Sequence, residues 1–499
     1  MQGAILPLGA EVVLGLLAGL VYVIYRQIRV PAHLQGLPRV PLTNFFKWGY
    51  NKTSPLEQFF EMRDFFLQHE TYVTWVGGDW KLVTTNLEHV KDIFTKTNHT
   101  IEKSIPNRDY PESLFRRFIG TSVIFSNHEV WARIRRIISP AFSNTQPTRV
   151  IGEVTKTLIA KLDKEDTSRL VMDKPLSHMA MDVLGQTIYG FNFNALENPD
   201  TKYAVLLQSI VSKLSNPVYL LFPYLDNLPF FRRDDVIRDL DELDEYMYKM
   251  IDEKRRQLAA NPVRDRANVD LLTLMLEACE DSETTRLSNQ ELRDNTTALF
   301  LAGHENTALS IGFWMYMMSK NLDLQEKCRD EVLSVMGDAP EDLIPTDEQL
   351  KQMSYLHASI LENLRFNPPI PLIVARETSV DQTIAGIPVP AGTSVGTNVI
   401  AVQHNPNYYP DPETFNPDRF LQKSTGERFL PKFIPFGSGP RQCIAKNFAL
   451  LNEQVVIAML LRKYTWTLVL GEDGKETIWS TPFSMFRINN LILNLKARY

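Results

Sequence analysis

The ten residues Phe436-Gly437-Ser438-Gly439-Pro440-Arg441-Gln442-Cys443-Ile444-Ala445 decide how the rest of this 499-residue chain is read. A cysteine that serves as a metal ligand must be a thiolate, shielded from oxidation yet electrostatically supported. Gly437 and Gly439 permit a tight turn whose backbone N–H groups can point at the sulfur. Phe436 can pack over the sulfur and exclude water. A helix-compatible run, Ala445–Leu461, starts just after Cys443 and brings the positive end of a helix dipole close to it. A lone cysteine is far more often a core residue than a ligand; the loop around this one reverses that preference.

The pattern Phe-x-x-Gly-x-Arg-x-Cys, met here at Phe436, Gly439, Arg441 and Cys443, resembles the signature loop of the cytochrome P450 family. Ala445 stands where the family usually has glycine, which adds one methyl. The resemblance implies haem b with Cys443 as the axial ligand of its iron, and Arg441 reaching a haem propionate. It also implies the cytochrome P450 fold, mainly α with small β-sheets. Further matches extend across the body from about residue 50.

Glu362-Asn-Leu-Arg365 lies on an expected helix, so its acid and base share one face. Glu-x-x-Arg is common, and a surface ion pair is its ordinary origin. Here Phe415-Asn-Pro-Asp-Arg419-Phe420 follows and resembles the family's Pro-Glu-Arg-Phe segment, with Asp418 in place of glutamate. The resemblance implies a structural triad of Glu362, Arg365 and Arg419. Trp131 and Arg135, four apart on a helix opened by Ser126-x-x-Glu129, can face one propionate; a basic helix face is the plainer reading. Arg376 resembles the arginine that many family members place on the other propionate.

From the capping box Ser288-x-x-Glu291 a helical pattern runs without proline to Lys320, roughly 45 Å at 1.5 Å per residue. It carries Ala302-Gly303-His304-Glu305-Asn306-Thr307, similar to the family's Ala/Gly-Gly-x-Asp/Glu-Thr-Thr/Ser. By that resemblance the small pair widens a groove for dioxygen and the acid–alcohol pair relays protons. Glu305 matches the acid, but Asn306 occupies the alcohol position, and Thr307 lies about 100° further round the helix. Either the Asn306 amide orders a proton-carrying water with Glu305 as its source, or Asn306 is a neutral variant. His304 reads as a structural hydrogen-bonding residue. Gly303–Asn306 also resembles fungal members that oxidise aromatic, tyrosine- or peptide-derived metabolites.

Strand signals are short: Val73–Val76 and Lys81–Thr85 around a Gly77-Gly78-Asp79 turn, then Ile384–Val395. A capping box at Ser54, with Pro55 and Glu57, marks another helix start. Hydrophobic residues make up 44% of the chain, ample for a large core, and a net charge of −6 argues against a nucleic-acid partner. The three cysteines, Cys279, Cys328 and Cys443, imply no disulfide framework and a reducing, cytosol-facing compartment. With that topology the Asn-x-Thr matches at Asn51, Asn98 and Asn295 are chance.

Residues 1–25 differ from the rest. Val12–Tyr25 is uncharged and mostly apolar, and Ala4–Ala10 extends it to membrane-spanning length. Glu11 sits near one end, where it avoids the cost of about 2.5–3.5 kcal/mol at the bilayer centre. A cleaved signal peptide would need a basic start and a small-residue cleavage site, and neither is present. Arg26 and Arg29 follow, so the positive-inside rule puts the body in the cytoplasm. The expected organisation is a transmembrane anchor at 1–25, a Pro/Gly-containing linker at 26–45 and one haem-thiolate catalytic domain at 46–499. The expected location is the endoplasmic reticulum membrane, single-pass.

The resemblance places substrate contacts on Ile101–Phe125, Leu299–Ala302, Pro369–Val374 and Pro482–Phe486. Phe115, Phe118, Phe125, Phe300, Phe483 and Phe486 then form an aromatic wall, unless they are core residues. Arg108, Arg116 and Arg117 either meet a substrate carboxylate or are solvated. Because the chain carries no flavin or nicotinamide motif, electrons derived from NADPH are expected from an NADPH–cytochrome reductase, with cytochrome b5 as a further partner. Arg133, Arg136 and Lys446 form a candidate docking face. Three functions stay open: a monooxygenase of apolar small molecules in secondary metabolism, an oxidase-type enzyme that couples phenols or dehydrogenates, and a haem-binding sensor or carrier.

Overall fold

The computed structural model describes residues 19, 21–22, 24–25, 28–96, 99–105, 110–144, 147–214, 216, 218–219, 222–260, 269–280, 287–421, 432–476 and 489–499. Helices dominate, and two of them are buried on every side: the long helix Asn289–Lys320 and the cysteine helix Lys446–Lys463. A helix buried all round belongs at the centre of a large core. The main hydrophobic cluster closes around both, drawing in the helices Thr148–Leu162 and Ser354–Phe366.

The ends of the long helix are written locally. Ser288 Oγ accepts from Glu291 N at 3.1 Å, and Ser288 N donates to Glu291 Oε2 at 2.9 Å. This reciprocal bond satisfies two first-turn donors. At the far end, Asn321 Nδ2 donates to the Met317 carbonyl at 2.8 Å. The box at Ser54 and Glu57 also forms. The one expected at Ser126 and Glu129 does not. That helix begins two residues later, as His128–Asn144, and Ser126 Oγ has no hydrogen-bond partner among the described residues.

Strands β1 (Thr71–Val76) and β2 (Asp79–Thr84) form an antiparallel hairpin closed by Gly77 and Gly78 alone. Both glycines have positive φ, +63° and +85°, as a two-residue turn of this kind requires. Asp79, expected in the turn, therefore opens β2. With β3 (Ile101–Lys103), β5 (Leu372–Thr378) and β8 (Ser394–Asn398) they make a sheet of order β1-β2-β8-β5-β3. A register shift between Ile373 and Arg376 interrupts the β5–β8 ladder. Such irregularities re-aim side chains. A smaller sheet joins β4 (Leu170–Val171), β10 (Ile492–Ala497) and β9 (Tyr464–Leu468); β6 (Gln382–Ile384) and β7 (Ile387–Val389) pair separately.

The stretch expected as a linker is docked on the first sheet. Val30 and Leu34 are buried with Trp75 and Trp80, and Trp80 Nε1 donates to the Ile28 carbonyl at 3.0 Å. The helix Leu42–Asn51 runs across the expected boundary at residue 46. Among the described residues no helix is long and apolar enough to cross a membrane. Most of the expected anchor, including all of Met1–Ala18, lies outside them.

Candidate active site

Between the long helix and the cysteine loop lies a cavity of about 390 Å³. Cys443 lines it, held by its own N–H to the Phe436 carbonyl at 2.9 Å. Phe436 and Gly437 line it too. Gly439 does not, yet no other residue fits there: its φ is +70°, and a Cβ would sit 2.6 Å from the Phe94 carbonyl oxygen. Part of Cys443 is accessible, while protein encloses the rest closely enough that burial pushes the thiol up. The Ala445 N–H, Arg135 and Lys446 oppose that shift and favour the thiolate. The supporting donor is thus Ala445 at the helix start, rather than the two glycines. Cys328, the other free cysteine among the described residues, is buried in the core.

Opposite charge balance is missing from the cavity wall. Among the described residues that line it, five are ionisable acids or bases, and four of these are basic: Lys103, Arg135, Arg376 and Arg441, against Glu453. Burial pushes the Arg376 guanidinium down to about 10. Arg441 falls to about 9 through burial and the nearby Arg376 and Arg135. Lys103 falls well below its usual range for the same kinds of reason, burial first, then Arg376 and Arg441. Arg441 Nη2 donates to the Ser126 carbonyl at 2.7 Å and Asn127 Oδ1 at 3.0 Å, and its guanidinium lies 4.1 Å over the Trp131 ring. Arg135 Nη2 donates to the Gln442 carbonyl at 3.0 Å. Trp131 also lines the cavity, and its buried Nε1 has no partner among the described residues. A wall of cations with an orphaned indole donor fits a dianionic ligand, because clustered buried charge is costly until it is paired.

The long helix supplies Ala302, Gly303, Asn306 and Thr307 to the same cavity. Asn306 Nδ2 donates back to the Ala302 carbonyl at 2.7 Å, leaving its buried Oδ1 without a partner among the described residues. The expected amide–water role is therefore open only to the carbonyl end. Glu305 is not part of the lining. His304 Nε2 lies 2.9 Å from Ser177 Oγ and stacks on Phe300, the structural role expected of it.

A family model described as "Cytochrome P450" matches residues 34–492. The chain belongs to the cytochrome P450 family. It is 29% identical over 469 residues to cytochrome P450 4F12 of Homo sapiens, which covers 88% of this chain and 86% of that one. Over 472 residues it is 26% identical to cytochrome P450 4c21 of Blattella germanica, covering 90% of each. It is also 27% identical over 514 residues to cytochrome P450 4V2 of Rattus norvegicus, at 98% and 94% coverage. None of these organisms is a fungus, so the expected fungal type is not borne out. Membership makes the protein a cytochrome P450 monooxygenase, an oxidoreductase that uses haem with a cysteine thiolate and takes electrons from a reductase partner.

Elsewhere in this cytochrome P450 the Glu362 and Arg365 side chains are fully buried and paired bidentately, at 2.7 and 2.8 Å. Arg419 Nε lies 3.4 Å from Glu362 Oε1, and Asn416 N donates to the same oxygen at 2.8 Å. The triad ties the helix Ser354–Phe366 to the turn Pro417–Phe420.

Other expectations change. Phe118 and Phe300 are core, and Phe115 and Phe125 pack against it; none lines the cavity. Its apolar wall is largely aliphatic, with Val123, Ile124, Leu184, Leu299, Ile370 and Ile373. Pro482–Phe486 and Arg108 lie outside the described residues. Arg117 pairs with Asp241 and Asp244, and Arg116 Nη1 donates to the Gly120 carbonyl, which gives both structural work. Arg133 pairs with Glu291, and Arg136 is exposed. Sequence reasoning missed Lys103 and Glu453. Glu453 did leave a signal, as the only acid between Cys443 and Tyr464.

Proposed function

We propose that this cytochrome P450 is a membrane-anchored monooxygenase whose haem iron is held by the Cys443 thiolate and whose substrate is an apolar small molecule. The observation that carries the reading is one cavity that gathers Cys443, four cations and the Ala302–Thr307 face of the long helix. Trp131 Nε1, Arg135, Arg376 and Arg441 hold the haem propionates, with Lys103 added to the set. Haem with a thiolate ligand, when bound, supplies reductive activation of dioxygen, the thiolate favouring O–O cleavage.

The chain's own groups do the rest. Ala302 and Gly303 keep the helix face narrow enough for a small molecule to approach. Asn306 Oδ1, free to accept, holds a proton-carrying water at the cavity wall. The aliphatic lining excludes bulk water and positions an apolar substrate.

Membrane attachment rests on Val12–Tyr25 followed by Arg26 and Arg29, with the body facing the cytoplasm from the endoplasmic reticulum. An NADPH–cytochrome reductase supplies the electrons, with cytochrome b5 as a further donor. A secondary-metabolite substrate is a narrower form of the same reading and rests on Gly303–Asn306 alone. Reductase-supported turnover under labelled dioxygen tests the proposal. Label in the product supports oxygen insertion, label in water alone replaces it with coupling or dehydrogenation, and no product leaves a sensor or carrier.

A further inference from the structure

Asn295, a chance Asn-x-Thr match in the sequence, is fully buried in the long helix, next to the buried Arg293 and Asp294. Polar groups at such depth are costly unless they are paired. Here all three take backbone partners from one neighbouring segment.

Arg293 Nη1 donates to the Arg117 and Phe118 carbonyls at 3.2 and 3.1 Å, at the end of the short helix Leu114–Ile119. Asp294 Oδ2 accepts from Thr121 N at 2.7 Å, and its Oδ1 accepts from Arg293 Nη1 at 3.0 Å. Asn295 Oδ1 accepts from Val123 N at 2.8 Å, while its Nδ2 donates to the Glu291 carbonyl at 2.8 Å. With an N–H on one side and a carbonyl on the other, the amide has one satisfactory orientation. Gly120 has a φ of +52°, and a Cβ there would collide with the Asp294 carboxyl group. Asp244, on the helix Asp234–Ala260, accepts from both Arg117 and Arg293 and braces the same corner.

The clamp ends where the aliphatic wall begins. Val123 and Ile124 line the cavity, as does Leu299, four residues beyond Asn295 on the same helix face. On the far side of this wall, Arg441 Nη2 holds the Ser126 carbonyl at 2.7 Å. Connecting segments are ordinarily the most mobile part of a fold; this one is tied through its own N–H groups to a helix buried on every side.

We propose that Asp294 and Asn295 determine which apolar molecules the cavity accepts, by fixing the Val123–Ile124 wall against the long helix. This rests on the haem-site reading above. Neither side chain is part of the cavity lining. Both are positioning residues, which act through the backbone of the wall.

The test uses the ferric holoprotein, Asn295→Leu and Asn295→Asp, with 1-methylimidazole and 1-octylimidazole as probes. Both bind haem iron through nitrogen and shift its Soret band, and only the second reaches along an apolar wall. In Asn295→Leu the Kd of the octyl probe is expected to rise about tenfold, the scale of losing a small apolar contact in a pocket. The Kd of the methyl probe and the ferrous–CO spectrum should hold. Asn295→Asp keeps an acceptor for the Val123 N–H and is expected to restore most of the difference. An octyl Kd that is unchanged, or an equal loss for both probes, overturns the proposal and leaves the haem site standing. A wild type lacking the thiolate spectrum would count against the haem-site reading instead. If Asn295→Leu does not fold, two measurements replace it. Hydrogen exchange in the wild type should protect the Thr121 and Val123 amides as strongly as the long helix, and Ile124→Ala should weaken the octyl probe alone. Free exchange at either amide, or an unchanged octyl Kd in Ile124→Ala, overturns the proposal.

Discussion

Lys103 and Arg376 stand directly opposite each other across the β3–β5 pair. Like charges in that position repel, and both are held where burial already disfavours their charge. An anionic ligand between them turns the repulsion into attraction. Lys103→Met is therefore expected to stabilise the haem-free protein, by roughly 0.2–1 kcal/mol, and to weaken haem retention. Melting temperatures of the two forms, with haem content after gel filtration, check both signs.

Asn306 supplies its helix with a bond and the cavity with an acceptor. Threonine keeps the first, since its hydroxyl can also donate to the Ala302 carbonyl, but its accepting oxygen then lies against the helix backbone instead of at the amide Oδ1 position. Asn306→Thr is expected to change stability by less than about 1 kcal/mol while product per NADPH drops. Unchanged turnover and coupling would remove any special role for the amide.

Glu362 meets two arginines and a backbone N–H at zero exposure. Glu362→Gln leaves Arg365 as a buried charge without its counter-ion, which costs about 3–5 kcal/mol. Denaturant unfolding should show that loss, and Arg365→Lys should not be tolerated, because an ammonium cannot reproduce the bidentate pair.

His404 is buried, its Nε2 3.0 Å from the Phe366 carbonyl oxygen, and burial together with Arg365 pushes its pKa down to about 3. A depressed folded pKa means that its contribution is intact above the unfolded value near 6.5 and is lost as pH falls toward 3. Relative to His404→Gln, the wild type should lose stability on acidification below about pH 6.5, by at most about 1.4 kcal/mol per pH unit. A difference that does not vary between pH 7 and 4 would refute this.

What could be read in advance was local. The Cys443 loop, the Ser288 cap and the Glu362–Arg365 spacing each state their geometry within a few residues, and the structure keeps the cap, the ion pair and the turn of the loop, with Ala445 in place of the glycines as the donor beside the sulfur. What could not be read depends on partners far along the chain. Lys103 faces the cavity because a three-residue strand pairs with β5, and nothing near it in the sequence says so. Phe118 and Phe300 lie in segments that flank the cavity, but helix phase turns their rings into the core. Ser126 has the letters of a cap, yet the helix starts beyond it, where Asn127 Oδ1 accepts from Lys103 N and Arg441. Asn306 was visible as an irregularity; that its amide hydrogen would be spent on Ala302 was not.

The most direct test of the central claim is the ferrous–CO absorption spectrum of the holoprotein beside that of Cys443→His. The wild type should show the red-shifted Soret band of thiolate-ligated haem. Cys443→His should bind haem and lose that band. A wild type without it, or a variant that keeps it, would contradict Cys443 as the ligand.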